Sequence, residues 1–492
     1  MNQKHSIKLN FIMNFLLTAS SFIFPLITFP YVSRILLPVG TGKVSFATSV
    51  ISYFTMFAML GIPTYGIRAC AKVRENKEEL SRTVHEIMFI NFIMTILTYI
   101  VFFISIMKVE RFQQDRNLLL VSSIAIVLQS LGVNWLYQGL EEYVYITVRS
   151  LIFKILGLGL LFIFVKQKED YIIYGAITVF TGYGSYILNM IRLKKFINCR
   201  PVGHYNLKRH MKPILVFFAM SVATSIYTNL DTVMLGFMNT DTEVGYYHAA
   251  VKMKSLLVSL ITSMGAVLLP RLSYYYENGK NEEFNKMIAK VLNFVLIMGI
   301  PLSVYFIMFS KESILLLSGS QFIMASVSMK LITPTVLFIG ITNVLGIQIM
   351  VPRGEEKNVL ISVIVGAAVD FFLNLVMIPR HGAAGAAMAT TVAEFSVLVV
   401  QICILRKLLN NIKKEVHWIK ICIPVVIATI CSFIFKSVVQ VKSNFILLVC
   451  SATIYFGIYG ILLWGVKEPE VREIGTPYIN KIKSKLKKMR KR

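Results

Sequence analysis

The sequence predicts an all-α polytopic membrane protein, and three observations carry that prediction. Of 492 residues, 56% are hydrophobic and 15% charged, against roughly 25% charged in a soluble domain; the mean hydropathy is +0.67. The excess comes as runs of about 20–28 apolar residues, each long enough to cross a ~30 Å hydrocarbon core as a helix. Short basic segments divide the runs, and with the N-terminus inside, their Lys and Arg fall mainly on the cytoplasmic side. A soluble α/β chain would show shorter strand runs and amphipathic helices instead.

In chain order the spans are predicted at 11–37, 44–66, 86–107, 118–138, 144–165, 171–192, 213–238, 244–270, 286–309, 327–351, 358–379, 383–405, 416–436 and 444–466, fourteen in all. The first carries Pro25 and Pro30, which bend it. It is too long for a cleavable signal peptide and lacks a small-residue cleavage site. Nothing between the spans is long enough for a soluble domain, and the longest interior loops, 67–85, 193–212 and 271–285, read as cytoplasmic elbows. The six cysteines, Cys70, Cys199, Cys403, Cys422, Cys431 and Cys450, lie in spans or on the predicted cytoplasmic side without a CxxC, so no external disulfide is expected. The net charge of +26 would suit nucleic acid, but its distribution argues against such a partner. The tail KIKSKLKKMRKR (481–492) is expected on anionic lipid headgroups, at ~1 kcal/mol for each basic residue near the surface. The reading is a multi-pass protein of the cytoplasmic (inner) membrane with both termini cytoplasmic.

The chain contains itself twice. RILLPVGTGKVSFA (34–47) is answered by DTVMLGFMNTDTEVGYYHAA (231–250), with Gly42 against Gly245 and Ala47 against Ala250. YQGLEEYVYITV (137–148) is answered by PRGEEKNVLISV (352–363), with Gly139 against Gly354. Six spans separate the copies, so both have one orientation. That predicts two six-helix bundles, 1–192 and 213–405, related by a pseudo-two-fold along the membrane normal. A linker (193–212) joins them, and two further helices (406–466) and a basic tail (467–492) follow. Transporters built from paired repeats place the substrate path between the bundles.

A polar residue before a short turn, then G-x-[VY]-x-x-A opening the next helix, recurs in both halves. This pattern resembles the multidrug/oligosaccharidyl-lipid/polysaccharide (MOP) exporter superfamily. FPYVSRILLPVGTGKVSFA (29–47), NLDTVMLGFMNTDTEVGYYHAAVKM (229–253) and WLYQGLEEY (135–143) are most similar to its polysaccharide branch, the Wzx-type flippases of O-antigen and capsule repeat units. The resemblance spans nearly the whole chain. It implies a MATE-like arrangement, and a flippase that moves undecaprenyl-diphosphate-linked oligosaccharide from the inner to the outer leaflet by alternating access. It also implies a polymerase and other polysaccharide-assembly proteins as neighbours. A lipid II flippase, and an ion-coupled drug or metabolite antiporter, remain the alternatives.

Ionisable residues inside spans are functional candidates, since each costs about +2.5–3.5 kcal/mol at a helix centre even on the lower scales. The candidate substrate-binding cations are Lys252, Arg149, Lys154, Arg68, Lys254 and Lys330; the gate or coupling candidates are Arg34, Asp231, Asp370 and Glu394. Basic residues outnumber acids, which suits a phosphate-bearing substrate, because Arg and Lys offset the cost of dehydrating phosphate. Lys154 and Lys252 lie deep in their spans and cannot easily snorkel, whereas Arg149 and Lys254 can. Arg68 reads first as an interface anchor, and Lys330 can reach outward. In YTNLDTVMLGFM (227–238), Asp231 belongs to an arc with Ser221, Thr224, Ser225, Thr228 and Thr232. Asp231 and Arg34 hold nearly equivalent places in the two repeats, and the expectation is that they meet when the external mouth closes.

No Walker A motif is present: in the GTGKV stretch Leu37 stands where the first glycine belongs and Val44 replaces Ser or Thr. No zinc motif, nucleophile elbow or dinucleotide fingerprint appears, and no cofactor is expected. The protein reads as a non-enzyme. An H+ or Na+ gradient, the membrane potential or product removal is left to drive transport, and the sequence does not choose among them.

Overall fold

In the computed structural model, residues 7–439, 441, 443–472 and 476 are described; the basic tail (481–492) lies outside them. The chain is helical throughout, with no strand among the described residues. In order the α-helices are α1 (Ile7–Met59), α2 (Ile62–Val73), α3 (Lys77–Lys108), α4 (Glu110–Gln114), α5 (Arg116–Leu131), α6 (Asn134–Gly139), α7 (Tyr143–Phe164), α8 (Tyr171–Tyr183), α9 (Ile187–Arg192) and α10 (Lys208–Met238). Then come α11 (Asp241–Glu277), α12 (Asn281–Met308), α13 (Ser310–Ser318), α14 (Ala325–Ile332), α15 (Thr335–Asn343), α16 (Glu356–Ile404), α17 (Arg406–Ile412), α18 (Trp418–Val438) and α19 (Asn444–Gly465). The chain packs as two compact units, Met1–His248 and Ala249–Arg492.

By length and composition ten described helices can cross a membrane, or up to eleven with one bent pair inside α11, so that measure does not reach the predicted fourteen. The difference has local causes. The first two predicted spans fall in one stretch, Ile12–Val73, and the eleventh and twelfth in another, Glu356–Ile404. The fourth predicted span holds only the shorter apolar helix Arg116–Leu131.

Both long stretches are broken where span ends were expected. In α1 the break is Leu37 (φ 59°, ψ −179°), immediately before Pro38. A proline disfavours the α region for the residue preceding it, and a positive φ on leucine is strained. In α16 the break is Gly382 (φ 54°, ψ −130°), three residues after Pro379, a conformation that glycine adopts without a Cβ penalty. Beyond it the chain doubles back, for a Cβ on Gly385 would run into the backbone of Met377.

In the first unit, α1 packs on α3, α5, α7 and α10. The WLYQGLEEY stretch forms α6, whose Trp135, Leu136 and Tyr137 are buried among Ile62, Cys70, Val84 and Ile87. Gly66 makes room for the indole, since a Cβ there would stand 2.6 Å from the Trp135 ring. Tyr137 donates to the Asn189 carbonyl at 2.6 Å. That motif therefore builds a core. In the second unit α12 is the buried element, with Ile288, Val291 and Val295 packed against Ile261, Val336 and Leu345. The C-terminal helices dock on it: Tyr305 donates to the Leu448 carbonyl and Tyr459 to the Ile297 carbonyl, each at 2.9 Å. Along α3, Phe89, Phe92, Ile96, Ile100 and Phe103 stay exposed, as a helix face set in hydrocarbon would.

Candidate functional site

The two repeat glycines meet. Gly42, just past the break in α1, lies against the start of α11, so a Cβ on it would run into the Asp241 carbonyl; one on Gly245 would run into the Pro38 carbonyl. Backbones that approach this closely require small residues on both sides. Around the crossing the helices are joined by side chains. Ser45 Oγ and His248 Nδ1 are 2.8 Å apart, and the Phe29 ring packs edge-on against the same imidazole. Tyr247 donates to the Asp231 carboxylate, so the buried acid of α10 is held by a hydroxyl from α11.

A charge network surrounds this crossing. Asp115 accepts from Lys43 at 2.8 Å and from Arg111 at 2.9 Å, and Arg111 also reaches Asp241. Arg111 Nε donates to the Gly236 carbonyl at 2.9 Å, and its guanidinium lies over the Phe46 ring. Two bases thus balance two acids, and Asp115 is fully buried. Sequence reasoning missed all four because they lie outside the apolar runs. Two signals were available: Arg111 and Asp115 at i,i+4, and Asp241 in the first turn of a helix, where a carboxylate favours the dipole.

The predicted cations are placed unequally. Lys154, midway along α7 and half-buried, donates to Ser20 at 2.7 Å and to Ser21 at 3.1 Å. Its amine pairs with no carboxylate among the described residues. Arg149 is buried at 2% exposure, donating to Ser185 at 2.8 Å and Asn134 at 2.5 Å, with the Tyr145 and Tyr186 rings beside it. Arg34 is exposed and donates to the Pro30 carbonyl of its own helix at 2.5 Å. Arg68 and Lys330 are exposed, Lys252 and Lys254 half-buried. Asp370 and Glu394 are buried on the two arms of α16. Each stands twelve residues from Gly382, about 18 Å along its arm at 1.5 Å per residue.

Much of the hydroxyl arc of α10 bonds to its own helix. Ser221, Thr224 and Thr228 donate to carbonyls four residues back in their own helix, at 2.9–3.0 Å, which leaves their lone pairs as acceptors. Ser221 and Ser225 line a cleft of about 290 Å³ with Ser52, Thr55, Ser122, Gln129, Thr178 and Tyr183, and with Met56 and Met59. Its lining is mostly apolar, with Ile51, Pro63, Ala125 and Val179 beside the two methionines, and the hydroxyls and one amide set into it carry no charge.

At the other end of α10, Glu86 is buried and accepts from four donors: Arg209 Nε at 2.9 Å, Arg209 Nη2 at 2.6 Å, His210 Nε2 at 2.6 Å and the Asn206 amide at 2.6 Å. Tyr65 closes the cluster on His210 Nδ1 at 2.6 Å. This cluster was not legible in the sequence, because Glu86 opens a predicted span and Arg209 lies in a predicted loop.

Helical bundles with broken spans and charge pairs at the helix ends define a polytopic membrane protein of the transporter type. Its fold is similar to that of the lipid II flippase MurJ in an inward closed conformation, with a TM-score of 0.70 at 18% identity, covering 95% of this chain and 100% of that one. It is also similar to an inward-facing multidrug resistance MATE transporter of the MOP superfamily, with a TM-score of 0.61 at 14% identity, covering 82% and 99%. The chain belongs to the polysaccharide biosynthesis protein family, matched over residues 7–276. It is 24% identical over 359 residues to a "Putative O-antigen transporter" of Escherichia coli (strain K12), covering 72% of this chain and 86% of that one.

Proposed function

We propose that this protein flips oligosaccharide repeat units carried on undecaprenyl diphosphate from the inner to the outer leaflet of the cytoplasmic membrane. The observation that carries the reading is Lys154. It is a cation in mid-span whose described partners are two hydroxyls, so a diphosphate would supply the negative charge that its surroundings lack. Arg149, walled by Tyr145 and Tyr186, anchors α7 in this reading. The uncharged cleft suits sugar in this reading, offering hydroxyls and an amide for hydrogen bonds among apolar side chains. The Gly42–Gly245 crossing and its charge network close the external end, and they part when the substrate leaves. Arg34 and Asp231 belong to the same closing step, and reversing both charges restores more transport than either reversal alone; a double variant no better than the worse single would remove them from it. Both termini are cytoplasmic, and a polymerase receives the product.

The test is deletion of the gene followed by lipid analysis. The expected result is loss of surface polysaccharide, with lipid-linked repeat units held on the cytoplasmic face and export restored by the intact chain. Normal polysaccharide together with drug hypersensitivity overturns the reading in favour of a drug exporter; arrested lipid II overturns it in favour of a peptidoglycan flippase.

A further inference from the structure

The C-terminal helix pair ends in a cluster that plays no part in the transport reading. His417 caps the start of α18, and Glu468 and Glu470 follow the end of α19. The chain turns there through Lys467 (φ 61°), whose amide bonds back to the Trp464 carbonyl while that of Glu468 bonds to the Leu463 carbonyl. That turn carries both carboxylates under the start of α18. We propose that His417, Glu468 and Glu470 form a binding site for a divalent transition metal that fastens the C-terminal helix pair to α12.

Geometry supports the site. One ligand atom from each of the three residues lies within 4.8 Å of the others. His417 Nδ1 is 2.8 Å from Glu468 Oε1 and 4.0 Å from Glu470 Oε2. Two ligands at Zn–N or Zn–O distances on a tetrahedral ion stand roughly 3.3 Å apart, a value these separations bracket. Glu468 has no solvent exposure, and the Oε2 atoms of Glu468 and Glu470 are buried with no donor from outside the cluster. Two carboxylates on one imidazole are poorly compensated, and a cation removes the deficit.

The support around the cluster is the kind that metal ligands have. Asn293 of α12, itself buried, donates to Glu470 Oε1 at 2.8 Å and to the Glu415 carbonyl at 2.9 Å, and accepts from the His417 amide at 3.1 Å. One side chain thus fixes two of the three ligands and ties them to α12. A nitrogen with two carboxylate oxygens fits Zn2+, Co2+ or Mn2+ better than Ca2+, which takes six to eight oxygens. The cluster lies outside the apolar spans, and His417 is 23% exposed, so an ion can reach it from water.

The experiment uses the full chain in detergent, untagged and stripped with EDTA, titrated with Zn2+ by calorimetry and by thermal unfolding. One Zn2+ per chain and a rise in Tm are expected. Glu468→Gln and His417→Ala should bind roughly tenfold or more weakly and lose the rise, as should Asn293→Ala, while the exposed Glu282→Gln keeps both. No Zn2+ uptake by the unaltered chain, or uptake that survives both ligand variants, overturns the proposal and leaves three groups sharing a proton. Should the variants fail to fold, Co2+ added to the unaltered chain decides: d–d bands of a low-coordinate site support the proposal, and their absence refutes it.

Discussion

Two charged residues of the first unit show how differently a charge can be held at membrane depth. Lys154 rests on Ser20 and Ser21, whose hydroxyls also bond the Leu17 carbonyl at 2.6 and 3.1 Å. Removing the amine leaves those serines satisfied, so Lys154→Ala should unfold at an unchanged temperature. If the amine holds phosphate, its loss removes a charge-assisted bond of ~1.5–3 kcal/mol, or roughly ten- to a hundredfold in transport, and Lys154→Arg should recover most of it. Surface polysaccharide in a deletion strain, read beside the Tm of each purified variant, checks this; a loss of export that merely follows a loss of Tm removes Lys154 from the substrate site. Glu86 is the opposite case. Four donors converge on it, and Glu86→Ala leaves the buried His210 imidazole without its carboxylate, while Arg209, partly exposed, keeps Glu79 at 3.4 Å. Losing the hydrogen bonds that this carboxylate accepts, one of them from a buried imidazole, costs roughly 1–3 kcal/mol, so thermal unfolding should show a fall in Tm, with export falling only in proportion to folded protein. Retained Tm would mean that water already satisfies His210.

Whole helices were the part most legible in the sequence. Apolar runs longer than the bilayer is thick leave little choice of secondary structure, and Pro38 and Gly382 mark breaks that hydropathy also saw. What hydropathy could not see was which runs stay separate helices. The break at Leu37 changes direction without ending the helical stretch, and α5 is shorter than its apolar run. The site was legible only in part, for a related reason. Charges inside runs stand out, whereas Lys43, Arg111, Asp115 and Asp241 sit at helix ends, where charges are ordinary, and only the fold brings them together. The glycines were readable as a repeat, and their mutual contact was not. That contact belongs to the elements: Gly42→Ala or Gly245→Ala places a methyl against backbone that has no side-chain freedom to yield. Either variant should pry α1 from α11. With Ser45, buried beside the crossing, replaced by cysteine, labelling by a membrane-impermeant maleimide should rise severalfold in the glycine variants. Unchanged labelling would show that the helices give way elsewhere.

For the molecule as a whole, the transport cycle proposed above requires α1 and α11 to part at the Gly42–Gly245 crossing, where their backbones meet. If transport requires it to open, holding it closed must stop export without harming the fold. Ser45 and His248 offer the position, since their side-chain atoms approach to 2.8 Å across α1 and α11. In a chain whose six free cysteines have been replaced by serine, Ser45→Cys with His248→Cys should form a disulfide under mild oxidant. The separation of the two Sγ atoms is set by the same two backbones that the glycines bring together. Export should fall as the cross-link forms and return when a reductant breaks it, while either single variant exports in both conditions. The reversible arm separates a locked helix pair from a damaged one, because reduction cannot restore a chain that has misfolded. Full export with the cross-link complete would mean that α1 and α11 stay joined through the whole cycle, and the opening would then have to be sought at another pair of helices.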